Sequence, residues 1–519
     1  MATSKRFVLL RYLTARPRTK CLSLVLVLII MYVVCSFVSL HMRGTLIVKF
    51  PSNVIMDIAE DDPQPGLTNI LYRTRASAER HTDYCRLHGQ SETDAGKNVA
   101  SVDIESRNKL SVGGSRLEGK NANLSHSILP GQREKYLFVF RYYEQLGRAT
   151  SNLLALASLA KYKNRYLVVP FVNNSRMCGL PGGVSHFYRK VEKPGQRNYA
   201  PMDEYFNMQD FNLKLNSRGY STFRCFRDLE SHCARRFNIV LHFLFQDESF
   251  KKDTASWYRV NGDEVSALYK QVKVHDGWID CPGIKHSRLS KQIGFKVSRY
   301  VCVDPEIIKS ARELEEKVLK GARCVAIVQW RGNGDERAHF PLDSTISQSL
   351  RPSDLEFNAH LVQIARNFVK NTFEGKFIGI HIRSERHVQR KGANVTRRCF
   401  EKLASRVQEL RNAIEVNEIF LASDLTDYGS DTLKNFAAAS DRGSLSQFLM
   451  KALNHPATYD PKGVLYDTGS VAIVEMNILS MATRLFTLGG GNFQEWAIDL
   501  FLKEHNNERK RIHRMCELL

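Results

Sequence analysis

The sequence predicts an α/β protein built from two doubly wound domains that face a cleft, preceded by a transmembrane helix and a flexible stem. Three observations predict it. An uncharged run follows a basic N-terminal tail, a polar interval without aromatic residues comes next, and from residue 136 short continuous apolar runs alternate with amphipathic stretches. The chain has 519 residues, 43% hydrophobic and 25% charged. That is enough to bury a large core, and it excludes both a wholly disordered chain and a small disulfide-stapled scaffold. The compositional anomaly is a net charge of +21.

Six of those charges lie in the first twenty residues, at Lys5, Arg6, Arg11, Arg16, Arg18 and Lys20, with no acid among them, which leaves +15 on the rest. Cys21 to Leu40 (CLSLVLVLIIMYVVCSFVSL) is uncharged, and as a helix rising about 1.5 Å per residue it just spans a hydrocarbon layer of about 30 Å. A cleaved signal peptide is the alternative. Its apolar region runs to about 7 to 15 residues and ends in a small-residue cleavage site, and no Ala-x-Ala follows Leu40. A retained signal anchor is therefore expected, with the basic tail cytosolic and the body in the secretory lumen, making a single-pass type II protein of the Golgi or endoplasmic reticulum membrane. Nucleic acid is disfavoured as a partner by that topology.

Three Asn-x-Ser/Thr triplets, at Asn123, Asn173 and Asn394, are candidate glycosylation sites and agree with a luminal body. Nine cysteines lie beyond the anchor: Cys85, Cys178, Cys225, Cys233, Cys281, Cys302, Cys324, Cys399 and Cys516. Nine allows at most four internal bridges, whose pairing sequence cannot give, and none has metal-ligand spacing.

Between Tyr84 and Tyr136 there is no aromatic residue, and Ser, Gly, Asn and Lys dominate. Such a segment buries too little apolar surface to offset its ordering entropy. The expected boundaries are a cytosolic tail at 1–20, the anchor at 21–40, a stem at 41–132, an N-terminal α/β domain on the acceptor side at 133–345, and a C-terminal α/β domain at 346–519. Within the body, Tyr136–Tyr143 (YLFVFRYY) reads as a strand. Ala149–Lys161 reads as a helix with Leu153, Leu156 and Ala160 on one face, and Tyr166–Val172 (YLVVPFV) as a second strand, together a parallel βαβ unit.

A second series begins near residue 323. It comprises CVAIVQW, a helix from about Asp354 to Asn371, the strand FIGIHIR from Phe377, a helix over Phe400–Leu410, the strand EIFLAS, a helix over Val471–Ala482, the strand RLFTLG and a last helix over Phe493–Glu504. Residues 180 to 300 show no clear period and read only as insertions and helices of the first domain.

An anchor, a stem and a basic luminal α/β body suggest an enzyme that modifies secretory cargo with an anionic nucleotide donor. No Gly-x-x-x-x-Gly-Lys turn follows the first strand, and Asp-x-Asp is absent from Tyr136 to Leu519, so another group must neutralise a leaving diphosphate. The candidate is Arg383, at the carboxyl end of the strand in FIGIHIRSER, where guanidinium can grip phosphate bidentately. His381 points to the same side, because strand side chains alternate. An ion pair of Arg383 with a neighbouring glutamate is the other reading.

The His-x-Arg motif at this place resembles the fucosyltransferase superfamily that contains the protein O-fucosyltransferases and the α1,2 and α1,6 enzymes. Ser384 stands where the α1,2/α1,6 form has a second arginine, which favours the protein O-fucosyltransferase side. YYEQLGRATSNLLALASLAKYKNRYLVVP resembles that family's first βαβ unit, and VAIVEMNILSMATRLFTLGGGNFQEWA its late region. The resemblance implies a GT-B-like fold of two Rossmann-type domains, with GDP-fucose as donor on the C-terminal side and no metal or other cofactor.

It also implies roles. Glu144 falls at the family's candidate catalytic base and Gly147 in the same loop, although Gln145 and Leu146 depart from the family's Glu-Gly-Phe-Asn. As a strand-end carboxylate, Glu144 would accept a hydroxyl proton or complement a helix dipole. Arg383 is the second catalytic residue. His381, Asp424, Ser430, Glu475, Gly490, Gly491, Asn492 and Phe493 are the expected donor contacts, with Glu475 where the family carries Asp and Asn492–Phe493 where it carries Ser/Thr-x-Phe-Ser. Transfer to Ser or Thr of a secretory protein is the expected reaction. A transferase acting on glycan hydroxyls, and a membrane-anchored glycan-binding protein without catalysis, are the alternatives.

Overall fold

The structure is a computed structural model that describes residues 134–143, 145–161, 164–180, 199–245, 251–252, 254–255, 261–281, 295–331, 350–425, 439–461, 465 and 467–516. The expected anchor, the stem and the Asn123 triplet lie outside them. Among the described residues no helix is long and apolar enough to cross a membrane.

A mixed first sheet is assembled around β1 (Lys135–Tyr142) and β10 (Cys324–Trp330), which pair in parallel from Tyr136↔Cys324 to Tyr142↔Trp330. On the far side of β10 come β7 (Arg236–Phe243) and β9 (Lys296–Val303), both parallel, and then antiparallel β8 (Trp278–Asp280). On the other side β1 pairs with β2 (Arg165–Val168), which pairs with β6 (Phe223–Arg224), again in parallel. Helix α1 (Leu146–Lys161) joins β1 to β2 and completes the expected βαβ unit.

The expected strand YLVVPFV divides at Pro170, which has no N–H for a ladder. Its second half becomes β3 (Phe171–Asn173) and turns back antiparallel on β4 (Arg176–Cys178). The unassigned middle of the sequence supplies β7 and β9, and β10, which opened the second series, belongs to the first sheet.

The second sheet is all parallel, in the order β12 (Glu418–Ser423), β11 (Phe377–Ile382), β13 (Arg484–Leu488), β14 (Ile512–Met515). The strand β14 was not expected. It is held by the Cys399–Cys516 disulfide to α7 (Ala393–Ile414), which covers one face of this sheet. Helix α5 (Ala359–Thr372) starts later than expected because Asn358 caps it, its side chain accepting from the His360 N–H, after a short 3-10 turn at Pro352–Asp354. Helix α9 (Thr468–Ser480) covers the other face, and it lies so close that a Cβ at Gly379 on β11 would come within 3.2 Å of the Leu479 side chain.

Both sheets are covered on two faces, as continuous apolar strands require. Leu137 and Val139 pack with α1 in one core, while Tyr136, Phe138 and Phe140 pack in another against α3 (Phe226–Cys233), itself bridged to β10 by Cys233–Cys324. The first of these cores continues into α9 and α10 (Asn492–Glu504), so the two sheets share it. Phe206 stacks nearly parallel on Trp496 of α10 and also on Phe357, with centroids 6.2 and 5.8 Å away.

A polar clasp closes the same junction. The Asp467 carboxylate caps α9 by accepting from the Ser470 N–H at 2.8 Å, and it also accepts from the Tyr205 hydroxyl at 2.5 Å and from the Asn174 N–H in the β3–β4 turn. A Cβ at Gly469 would collide with the Tyr205 hydroxyl, so the close fit needs glycine there. Burial, and then the Asp467 charge, push the Tyr205 hydroxyl well above its ordinary pKa, so it stays a donor.

Asp467→Ala removes a helix cap and this clasp together, and it is expected to lower the unfolding free energy by about 2 to 3 kcal/mol. Tyr205→Phe should cost about 1 kcal/mol. Urea unfolding measures both, and an unchanged midpoint for Asp467→Ala would show that the clasp contributes nothing.

Candidate functional site

The carboxyl end of β11 is where the expected site residues meet. Arg383 follows Ile382 directly, and its backbone N–H donates to the Leu488 carbonyl at 2.9 Å, which ties it to the end of the neighbouring strand β13. The turn after β13 is Gly489-Gly490-Gly491, with φ values of +101°, +69° and +114°. Those values favour glycine, and space demands it as well. A Cβ at Gly489 would collide with the Arg383 carbonyl oxygen, and one at Gly491 would come within 2.7 Å of the Arg383 guanidinium. The three glycines thus let a backbone turn wrap closely around Arg383.

Gly491 is also the N-cap of α10, and no side chain caps it. The first turn of α10 therefore presents backbone N–H groups and the positive end of a helix dipole beside a guanidinium. This is an anion-binding arrangement. Arg383 is partly exposed, and among the described residues its ion-pair neighbour is Glu385, at a long 3.9 Å.

Asp424, expected as a ligand contact, is directed elsewhere. Its carboxylate accepts from the Ser384 N–H at 2.9 Å, the Ser384 hydroxyl at 2.8 Å and the Glu385 N–H at 2.8 Å, and so it caps helix α6 (Ser384–Lys391) immediately after Arg383. Burial raises its pKa against those hydrogen bonds. Of the two helix N-termini at this place, that of α6 is occupied by Asp424 and that of α10 by no side chain.

His381 lies two residues before Arg383 on β11, with its ring 5.1 Å from the Phe493 ring. Burial first, and the Arg383 charge second, pull its pKa down to about 4, so the imidazole is neutral near pH 7. Its Nδ1 is buried without a hydrogen-bond partner, and so is the hydroxyl of Thr487, its register partner on β13. Two unused polar atoms side by side are a place for a ligand group. Gln494, which sequence reasoning missed, hydrogen-bonds His381 and accepts from the Gly490 N–H at 3.0 Å. Nothing in its spacing marked it, because it works through the fold of the glycine turn.

The first sheet reaches the same place through α1. A Cβ at Gly147 would lie 3.4 Å from the Phe493 nitrogen and 3.6 Å from the Asn492 Cβ, so the first turns of α1 and α10 are in van der Waals reach. Gly147, His381, Arg383, Gly490, Gly491, Asn492 and Phe493 are brought together. Glu475 sits on α9, and Glu144 and Ser430 lie outside the described residues. Asn173 is half-buried at the end of β3, and Asn394 is exposed in the first turn of α7 with its partner Thr396 buried. Among the described residues no three His, Cys, Asp or Glu side chains cluster as metal ligands.

No family model matches the chain, and no curated protein matches it. Among solved structures, the chain is similar to POFUT1 in complex with GDP-fucose, at 11% identity over 75% of this chain and 99% of that chain, with a TM-score of 0.44. It is similar to POFUT1 in complex with GDP at 11% identity, 74% and 100% coverage and a TM-score of 0.41. For the fucosyltransferase NodZ from Bradyrhizobium the values are 12%, 71%, 93% and 0.29. At these values the reading of the site rests on its own residues.

Glu475 is half-buried, and burial pushes its carboxyl up to about 8. The unfolded chain ionises this group near 4.5, so between about 4.5 and about 8 the folded chain holds a proton that the unfolded chain has lost. Stability is then lost as pH rises through that window. Glu475→Gln is expected to raise Tm, with a gain that is small at pH 5 and grows to pH 8. Scanning fluorimetry from pH 5 to 9 measures it, and a gain independent of pH would place the carboxyl in contact with solvent.

Proposed function

We propose that this chain is a type II Golgi or endoplasmic reticulum glycosyltransferase that moves fucose from GDP-fucose to a Ser or Thr hydroxyl of a secretory-pathway protein, with inversion and without a metal. The observation that carries the proposal is the close wrapping of the Gly489–Gly491 turn and the uncapped N-terminus of α10 around Arg383. A guanidinium and backbone N–H groups converging on one point suit a leaving diphosphate. The choice of sugar and nucleotide is supported by the sequence resemblance around His381–Arg383 and Glu475.

In this mechanism the acceptor oxygen attacks the anomeric carbon from the face opposite GDP, and the bond from that carbon to the β-phosphate oxygen breaks. Arg383 holds the departing β-phosphate, whose new charge is also met by the N–H groups of Gly491, Asn492 and Phe493. Neutral His381 orients the donor through its open Nδ1. Glu144 takes the acceptor proton. The guanosine lies towards α9, where Glu475 ionises on meeting the N–H donors of the base.

A donor panel that reads release of GDP, UDP or CMP is expected to give GDP alone from GDP-fucose, undiminished by EDTA. Release that only Mn²⁺ or Mg²⁺ restores would remove metal independence, and release of another nucleotide would remove the donor. Arg383→Ala should fold normally and lose about 100-fold or more in kcat. Gly491→Ala, which drives a methyl group into the guanidinium, should weaken GDP binding, whereas near wild-type affinity would detach the turn from the phosphates. For Glu144→Gln, an unchanged kcat on a protein acceptor would place the base elsewhere.

A further inference from the structure

The glycine turn around Arg383 is held in two different ways. Gly489 and Gly491 are fixed by contact, since a Cβ at either would strike Arg383. Gly490, between them, has no such neighbour, and a Cβ there would meet nothing within 4 Å. All three residues have positive φ, and a run of glycines gains no rigidity from its own backbone. Something other than packing must therefore fix the apex of the turn.

Gln494 does so. It is 3% exposed, and its Oε1 accepts from the Gly490 N–H at 3.0 Å. Gly491 is the N-cap of α10, so Gln494 stands at the third helical position, from which the side chain of a capping box reaches back to the N-cap N–H. Here it reaches one residue further. It takes up the Gly490 N–H and leaves the first turn of α10, which no side chain caps, to face the site. The same carboxamide hydrogen-bonds His381, two residues before Arg383 on β11, so one side chain joins the turn, the helix and the strand. A carboxylate here would accept the same N–H, but it would set a negative charge into the helix end that receives an anion. A neutral amide holds the turn without that repulsion.

We infer that Gln494 is a positioning residue for the diphosphate, a neutral acceptor that holds Gly490 so that Arg383 and the first turn of α10 converge on one anion. It touches no reacting atom and acts through the turn. The inference rests on the transferase reading of the cleft and adds the residue that organises its donor site.

The test is GDP binding to the full-length chain and two variants, by titration calorimetry from about pH 5 to 9. Gln494→Met keeps the length and loses the acceptor, and its GDP affinity is expected to fall about tenfold. Gln494→Glu keeps the acceptor and adds a titrating proton. Burial holds the introduced carboxyl above its ordinary range, so it is neutral at the acid end and ionises as pH rises. The affinity of Gln494→Glu relative to wild type is therefore expected to be close to unity at the acid end and to drop about tenfold or more at the alkaline end. The titrating and charged groups around it are His381 and Arg383 on β11, Glu385 on α6, and Glu495 with its partner Arg514 on β14. All are common to wild type and variant, so the ratio isolates the new carboxyl. A role confined to stability would lower Tm in both variants and leave that ratio flat across pH. Wild-type affinity in Gln494→Met, or a flat ratio for Gln494→Glu, would overturn the inference, and the ratio decides alone should Gln494→Met fail to fold. A wild-type chain that binds no GDP defeats the transferase reading, whereas one that binds GDP no better than Gln494→Met defeats only the role of Gln494.

Discussion

The close approach of a glycine turn to the Arg383 backbone is the constraint on which the rest of this structure depends. The Arg383 carbonyl leaves no room for a side chain at Gly489, and its guanidinium leaves none at Gly491. Because the turn lies flat against that residue, α10 starts immediately beside it, with its N-terminal N–H groups open and its dipole pointing at the same spot. Any larger residue would lift the helix away and separate two positive features that act together only at short range. Asp424 completes the arrangement by taking up the N–H groups of the adjacent helix α6, so that one helix end is satisfied and the other is left for a ligand.

The two sheets are held in the geometry this site needs by a shared core and by a clasp. Helix α1 and helix α10 bury side chains in one continuous cluster, and the stack of Phe357, Phe206 and Trp496 fills the junction with aromatic surface. At its edge Asp467 serves two purposes with one carboxylate, capping α9 and accepting from Tyr205 and the β3–β4 turn. Helix α9 carries Glu475, so the position of that acid is set by contacts made to the first sheet as well as to the second.

Much of the second half was legible in the sequence. FIGIHI, EIFLAS and RLFTL are continuous apolar runs bounded by polar turns, and the observed strands begin where those runs begin. The first half was harder. β7 and β9 carry Arg, Asn, Lys and Ser among their first residues, at the ends that emerge from the sheet, which hid them among scattered charges. Pro170 interrupted a run that otherwise reads as one strand, and β14 carries too few apolar residues to announce itself before β13 and a disulfide hold it in place.

The sequence by itself determined the alternation of strands and helices, the place of Arg383 at a strand end, and the glycines that must accompany it, because each follows from short-range patterns of polarity and backbone freedom. Only the tertiary structure decided that β10 joins β1, that Asp424 caps a helix next to Arg383, and that Gln494 ties the glycine turn to His381. The physical reason is range. Strand order and the meeting of side chains far apart in the chain are set by how two covered sheets pack into one core, and no local pattern of residues encodes that packing.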